Sequence, residues 1–468
     1  MKRAGIFAAA LVLAAPAVAL ANGRYPAGSQ LVIDPTNPQH LAVSATFGLL
    51  ESRDGGKTFG WMCEAAIGTS GQQDLMLAIA GSGATVVAMF NGITTTSDGC
   101  TYRSAPELAN KTMGDLAWSR STPHQLVAFW LEFKAGGTFG SQIVQSSDNG
   151  QSWSPIADAL APELYPLTID VAPSLPSRVY LSARGDRNKN FGSMLMRSDD
   201  GGATFTSADI PETEEHRLTY IAAVHPTDPD RIYLRVFDMP GTVIQMSSDG
   251  GRTFQKIFTG TEQLLGFAIS PDGTQMAVGG PNDGLWVGSA DGTNLARRSD
   301  VGATCLTWTK DALYACADYK TAGFSIGRSS DSGATFEGLF RYDELCGRAA
   351  ACGGSTTARC SEEWELIAPA VGATCADAGA SDASTDASTG DTSRDAGPTV
   401  EAGPPATGGM PPPAADDSGG CTSARSARGA SRFGPLAWLV AVALPLRRLF
   451  AALKNKQRSS RLRASREP

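Results

Sequence analysis

The sequence predicts an all-β fold, seven four-stranded antiparallel blades closed into a ring, and three observations carry that prediction. The first is a turn that recurs. Ser52-x-Asp54-x-Gly56-x-Thr58-Phe59 returns at 146–153, 198–205, 247–254 and 329–336, with eroded copies at 96–102 and 289–295. The aspartates of the series are Asp54, Asp98, Asp148, Asp200, Asp249, Asp291 and Asp331, 40 to 52 residues apart, a period that marks a closed or stacked array of like units. Each turn also lies between two apolar runs, the signature of a hairpin. Long helical periodicity is absent from 31 to 340, which argues against an α-solenoid. Four strands per unit over seven units make a seven-bladed β-propeller.

The strands follow in order. The first unit reads as strands 31–34, 40–45, 48–52 and 58–62 around a turn at 35–39, and the fifth as strands 220–224, 231–237, 242–247 and 253–258 around a turn at 225–230. Corresponding first-to-second-strand turns fall at 121–124, 173–177, 271–273 and 310–311. Within each repeat turn the Asp carboxylate can accept from backbone N–H groups further along, and Gly supplies a positive φ without steric cost. The aromatic that follows (Phe59, Trp153, Phe205, Phe254 or Phe336) is expected to enter the next strand and face inward. Each copy is therefore read as a pinned corner, not a reaction centre.

The five intact copies resemble the Asp-box, or BNR repeat, of sialidases, sortilin-type receptors and several glycosidase families, and that resemblance implies a β-propeller as well.

Residues 1–21 read as a secretory signal peptide: Met1-Lys2-Arg3, an apolar run from Ile6 to Leu20 and the small-residue site Ala19-Leu20-Ala21. The propeller is assigned to 22–340 and a Cys-rich segment closing it to 341–375. Eight cysteines fall in the exported part (Cys63, Cys100, Cys305, Cys316, Cys346, Cys352, Cys360 and Cys375) and one beyond it, Cys421, and an even set in an oxidising compartment is what disulfides need. Cys305 and Cys316 lie symmetrically about Lys310-Asp311 and should meet across a hairpin. Cys63 and Cys100 are expected to close the fourth strand of one blade towards the next, while the last four allow three connectivities. The tight Cys-x-x-Cys pairs of a zinc site are missing, and neither metal nor cofactor is called for. With a net charge of −8, 18% charged residues and scattered basic side chains, nucleic acid is not an expected partner.

Residues 376–420, rich in Ala, Asp, Ser, Thr, Gly and Pro, read as a disordered spacer. Gly419-Gly420-Cys421 follows, then a hydrophobic helix over 433–453 and a basic tail ending near residue 468. This order resembles the myxobacterial carboxyl-terminal sorting signal MYXO-CTERM. The resemblance implies transient inner-membrane retention, cleavage by a sorting protease near Cys421 and display on the outer surface of the outer membrane, with Cys421 as a lipidated anchor. A single-span anchor is the alternative, and basic residues after the helix place that terminus in the cytoplasm.

Catalytic motifs are sparse. Sialidases resembling this pattern use three arginines on the substrate carboxylate, a Tyr–Glu pair and an Asp acid; Arg24-Tyr25-Pro26 is only a faint echo of the first arginine motif. Asp170 and Asp186 can be offered as a carboxylate pair, with a channel-lining or turn aspartate as the commoner explanation. The histidines (His40, His124, His216, His225) form no metal or catalytic motif, and Arg184-Gly185-Asp186 matches a tripeptide common by chance. The repeat turns and the first-to-second-strand turns share one face of the ring, so the second-to-third-strand loops lie on the other, where propellers usually carry function. Candidate ligand-binding residues there are Lys134, Arg184, Asp186, Arg187, Asn190, Asp238, Asp318, Tyr319 and Lys320, a mix of aromatic and polar groups suited to a sugar or a peptide. The expected function is non-catalytic binding of an extracellular polysaccharide or a protein partner, with a sialidase-like glycoside hydrolase and a surface-assembly scaffold or receptor as alternatives.

Overall fold

A computed structural model describes residues 25–69, 73–185, 192–213, 218–237, 241–346 and 352–373. Seven four-stranded antiparallel sheets stand in sequence order, each built from four consecutive strands. Their spans are 28–62, 76–104, 112–155, 165–209, 218–259, 266–299 and 303–340, here blades 1 to 7. This is the seven-bladed β-propeller expected. The first strands, Gly28–Ile33 in blade 1 through Ala303–Trp308 in blade 7, line a central channel. Second strands such as Leu41–Ala45, Thr85–Met89 and Leu313–Ala317 are buried along their whole length, because neighbouring blades cover both faces, and they accordingly read as short continuous apolar runs.

The repeat turn works as one unit. In blade 5, Asp249 Oδ1 accepts from Ser247 Oγ (2.8 Å), Arg252 N (3.0 Å) and Thr253 N (2.9 Å), and Oδ2 accepts from Thr253 Oγ1 (2.6 Å). Ser247 Oγ in turn accepts from Gly251 N at 2.8 Å. The sets around Asp54, Asp148, Asp200 and Asp331 repeat this pattern. Bonds from the Thr58 hydroxyl and N–H hold Asp54 down to about 2. Eroded Asp291 keeps only the Thr293 N–H and hydroxyl.

The glycine has two reasons to be glycine. Gly251 has φ +87°, and a Cβ there would lie 2.5 Å from Leu195 of blade 4; Gly333, at φ +85°, would meet Leu285 of blade 6 equally closely. Each corner thus abuts the preceding blade, a close approach that only a residue without a side chain permits. The aromatics differ from expectation in detail: each stands one residue ahead of its fourth strand, and only Trp153 is fully buried, at 6% exposure, the others being half-buried.

Closure of the ring uses no strand exchanged between the termini. Thr304 Oγ1 of blade 7 donates to Gly28 O (2.7 Å) and Thr307 Oγ1 to Leu31 O (2.5 Å). The segment after blade 7 then runs across the seam. Tyr342 and Leu345 enter the blade 1 core, and helix α3 (Gly354–Val371) lies against the helical turn α1 (Glu64–Ile67), whose Glu64 and Ala65 N–H groups donate to the Glu363 carboxylate. Trp364 meets Trp61 at 5.4 Å between ring centroids. Two disulfides fasten this strap, Cys63–Cys360 and Cys100–Cys352. The expected closure of blade 1 onto blade 2 through Cys63 and Cys100 is therefore corrected: each bonds to the C-terminal segment, which arrives between them. Cys305–Cys316 forms across its hairpin as the sequence indicated. Cys346 is disulfide-bonded as well; Cys375, Cys421, the signal peptide, the spacer and the 433–453 helix lie outside the described residues. Among those described, no helix is long and apolar enough to cross a membrane.

Candidate functional site

Three regions hold the polar chemistry of the ring. On the far face, Asp318 caps the helical turn α2 (Tyr319–Ala322), accepting from Lys320 N (3.0 Å) and from the Tyr25 hydroxyl (2.8 Å). Lys320 Nζ stands 5.2 Å from the Tyr25 ring centroid and 5.8 Å from that of Tyr319. Asp318, Tyr319 and Lys320 are therefore brought together as a cluster. Tyr319 also has a structural duty, because its hydroxyl donates to Val371 O at 3.2 Å and Arg341 lies over its ring. Lys134 sits on an exposed corner of blade 3 and shares no hydrogen bond or ion pair with this cluster among the described residues. Arg184 ends the strand Val179–Arg184 opposite Tyr165. Asp186, Arg187, Asn190 and Asp238 lie outside the described residues.

The second region is the channel, where polar side chains on several first strands bond one blade to the next. Gln30 pairs with both the N–H and the C=O of Leu77, and Thr168 Oγ1 accepts from Ile221 N at 2.8 Å. Asp115 Oδ2 accepts from Ile169 N (2.9 Å) and Oδ1 from Leu116 N (2.8 Å); Asp170 Oδ1 accepts from Val171 N (2.8 Å). Burial pushes Asp115 up to about 7, with Asp170 adding to the rise and the backbone bonds opposing it. Burial likewise raises Asp170 to about 6, against its backbone bonds and Arg120. Asp115 and Arg235 line a channel cavity of about 350 Å³. Arg235 is itself engaged, donating to Leu264 O and Leu265 O.

The third region was not foreseen. A cavity of about 730 Å³ opens on the repeat-turn face, lined chiefly from blades 1 and 7 with Arg120 of blade 3 and Pro271 of blade 6 beside them, and Asp54, Lys57, Lys310, Arg328, Trp308 and Tyr314 are among its lining residues. The candidate ligand residues that the sequence offers lie on the opposite face. Pattern alone did hold a signal for Asp115 and Asp170, single carboxylates inside otherwise apolar first strands. Arg328 and Lys57 gave none, because they come to line one cavity only through closure of the ring. Among the described residues no group of three or more His, Cys, Asp or Glu side chains is placed to hold a metal ion.

The geometry defines a seven-bladed propeller with hydrogen bonds between several neighbouring blades along its channel and a cavity bordered by blades 1 and 7. No family model matches this chain, and no curated protein matches it. Solved structures similar to it include an ancestral GH74 enzyme, at 14% identity over 67% of this chain and 46% of that one, TM-score 0.47. The Kuenenia stuttgartiensis hydrazine synthase is similar at 9% identity, covering 66% of this chain and 97% of that one, TM-score 0.47. A Hadza microbial sialidase is similar at 14% identity over 64% and 72%, TM-score 0.38. The chain spans 46% of the length of the GH74 enzyme. Likeness at these identities concerns the fold alone.

Proposed function

We propose that this chain is an exported, surface-anchored propeller that binds an extracellular polysaccharide or a protein partner without turning it over. The observation that carries the reading is the engagement of the two channel carboxylates. Asp115 and Asp170 sit on adjacent blades, and both accept hydrogen bonds from the main chain, a structural use of a buried acceptor. Asp115 borders the channel cavity of about 350 Å³ and Asp170 is not among the residues lining it, which supports a structural over a paired catalytic use. Disulfides across the seam support an oxidising, exported location. The carboxyl-terminal sorting signal, its protease and a membrane or lipid anchor at Cys421 complete the proposal from sequence.

A second reading, a sialidase-like or related glycoside hydrolase, draws on those same residues. Carboxyls titrating at about 7 and about 6 have the proton affinity a general acid needs. A glycan array combined with a fluorogenic glycoside panel separates the two. Binding without turnover is the expected outcome. Turnover abolished by Asp115→Asn or Asp170→Asn in a protein that still melts normally would establish the hydrolase instead.

A further inference from the structure

We propose that the cavity on the repeat-turn face, at the seam of blades 7 and 1, binds a sugar chain bearing oxyanions, with Arg328 as its principal anchor. The inference rests on the glycan-binding reading above and gives it a ligand class and a site. Arg328 lies in the strand Ile326–Ser329, one residue before the repeat serine Ser329. The same position in other blades shows what a charge there does. In blade 1 it is Glu51, 2.6 Å from His40 Nε2 and 2.8 Å from Arg53. In blade 4 it is Arg197, 3.1 Å from Asp199 and 3.5 Å from Asp230. Both are neutralised inside the fold. The half-buried Arg328 side chain makes no hydrogen bond or ion pair among the described residues, and its Nε is buried without an acceptor. A guanidinium stripped of part of its hydration and left unpaired is unfavourable. Its planar fork fits a ligand with two oxygens side by side, a carboxylate or a sulfate.

Two more cations converge on the same space. Lys57 comes from the repeat turn of blade 1 and Lys310 from the first corner of blade 7; both are exposed, and neither is paired among the described residues. Of the lining carboxylates, two are committed to their own turns. Asp34 accepts from Thr36 N, Thr36 Oγ1 and Asn37 N at 2.8, 2.7 and 3.1 Å, and Asp54 from Ser52 and Thr58. Arg120 of blade 3 also borders the cavity and has Asp170 nearby, so of the lining carboxylates Asp311 alone is left to oppose Lys57, Lys310 and Arg328. Trp308 and Tyr314 border the cavity at 8% and 7% exposure, and Tyr314 is the cross-strand neighbour of Arg328. An aromatic beside a guanidinium can take the apolar face of a sugar while the cation holds its charged substituent. At about 730 Å³ the cavity falls within the usual size of ligand sites, about 300–1,000 Å³.

Calorimetric titration of the full-length purified protein with trigalacturonate, a sulfated chondroitin tetrasaccharide and neutral cellotetraose tests this, the first two separating carboxylate from sulfate as the recognised group. At least one acidic chain should bind and the neutral chain should not. Arg328→Gln should weaken binding by about tenfold or more, as loss of a charge-assisted pair does, with partial recovery in Arg328→Lys and further weakening as salt rises. Should Arg328→Gln lower the melting temperature, the exposed pair Lys57→Gln/Lys310→Gln provides the same readout. Unchanged affinity in these variants, or equal binding of the neutral chain, overturns the inference while leaving glycan binding intact. Failure of every glycan to bind overturns both this inference and the polysaccharide branch of the proposed function.

Discussion

The strap that crosses the seam leads to a quantitative ranking of the disulfides. No strand is exchanged between the termini among the described residues, and the bonds described there that close the ring covalently are Cys63–Cys360 and Cys100–Cys352, which span 297 and 252 residues, against 11 for Cys305–Cys316. In the chain-entropy account a cross-link of the longest span restricts the unfolded chain by roughly 5–6 kcal/mol and the hairpin bond by about 3. The strap bonds are not additive. With Cys63–Cys360 in place, Cys100–Cys352 closes a loop of only about 45 residues, made from 63–100 and 352–360, which corresponds to about 4 kcal/mol. The perturbations are the paired alanine variants Cys63→Ala/Cys360→Ala and Cys305→Ala/Cys316→Ala, compared by guanidinium unfolding. The strap variant should lose more stability than the hairpin variant. Hydrogen exchange should rise in Gly28–Ile33 and Ala303–Trp308, the two strands that meet at the seam, when the strap is cut. A hairpin variant that destabilises as much as the strap variant, or unchanged protection of Gly28–Ile33 without the strap, would refute the closure argument.

The remaining predictions concern carboxylates. Asp249→Ala removes four hydrogen bonds and should cost about 1–3 kcal/mol. Asp291→Ala, with two bonds to lose, should cost about 1 kcal/mol or less; equal melting shifts would mean that the corners are not what pins the hairpins. Against the raising effect of burial, bonds from Thr253 and Ser247 lower Asp249 to about 2. A carboxyl lowered on folding stabilises above its unfolded value near 4 and loses that contribution as pH falls towards 2, so acid unfolding midpoints should show a destabilising limb in this window that Asp249→Ala reduces. Carbon-detected titration should find Asp115 half-protonated near pH 7 and Asp170 near pH 6. Values in the ordinary carboxylate range would show the channel to be well hydrated and remove the one feature favouring a hydrolase.

What the sequence revealed and what it concealed follow from how far apart the interacting parts lie. A repeat turn is local: Ser247, Asp249, Gly251 and Thr253 contact one another within a single corner, so their spacing encodes the geometry and repeats with every blade. The Cys305–Cys316 bridge is legible for the same reason, since the hairpin that joins the two is itself local. Cys63 and Cys100 are different. Their partners lie 297 and 252 residues away, and nothing near either cysteine says that a helix will arrive between blades 1 and 2.

The cavity is concealed for a related reason with a functional consequence. Its walls come from opposite ends of the propeller, Lys57 from the first blade and Arg328 with Lys310 from the last, and they meet only because the ring closes. A single repeat unit presents its charged third-strand residue to a partner on its own or a neighbouring blade, as Glu51 and Arg197 do. Blade 7 has its following neighbour supplied by the start of the chain, and there Arg328 finds no carboxylate of its own. An array of like blades thus becomes unlike itself at one place, the seam, and that place combines unpaired cations, an aromatic border and open volume. The strap that holds the seam shut is consequently a determinant of ligand binding: cutting Cys63–Cys360 should weaken capture of an acidic sugar chain through loss of alignment between Lys57 and Arg328. Cutting Cys305–Cys316, which leaves blade 1 in place, should weaken it less; the reverse order would mean that the site is contained within blade 7.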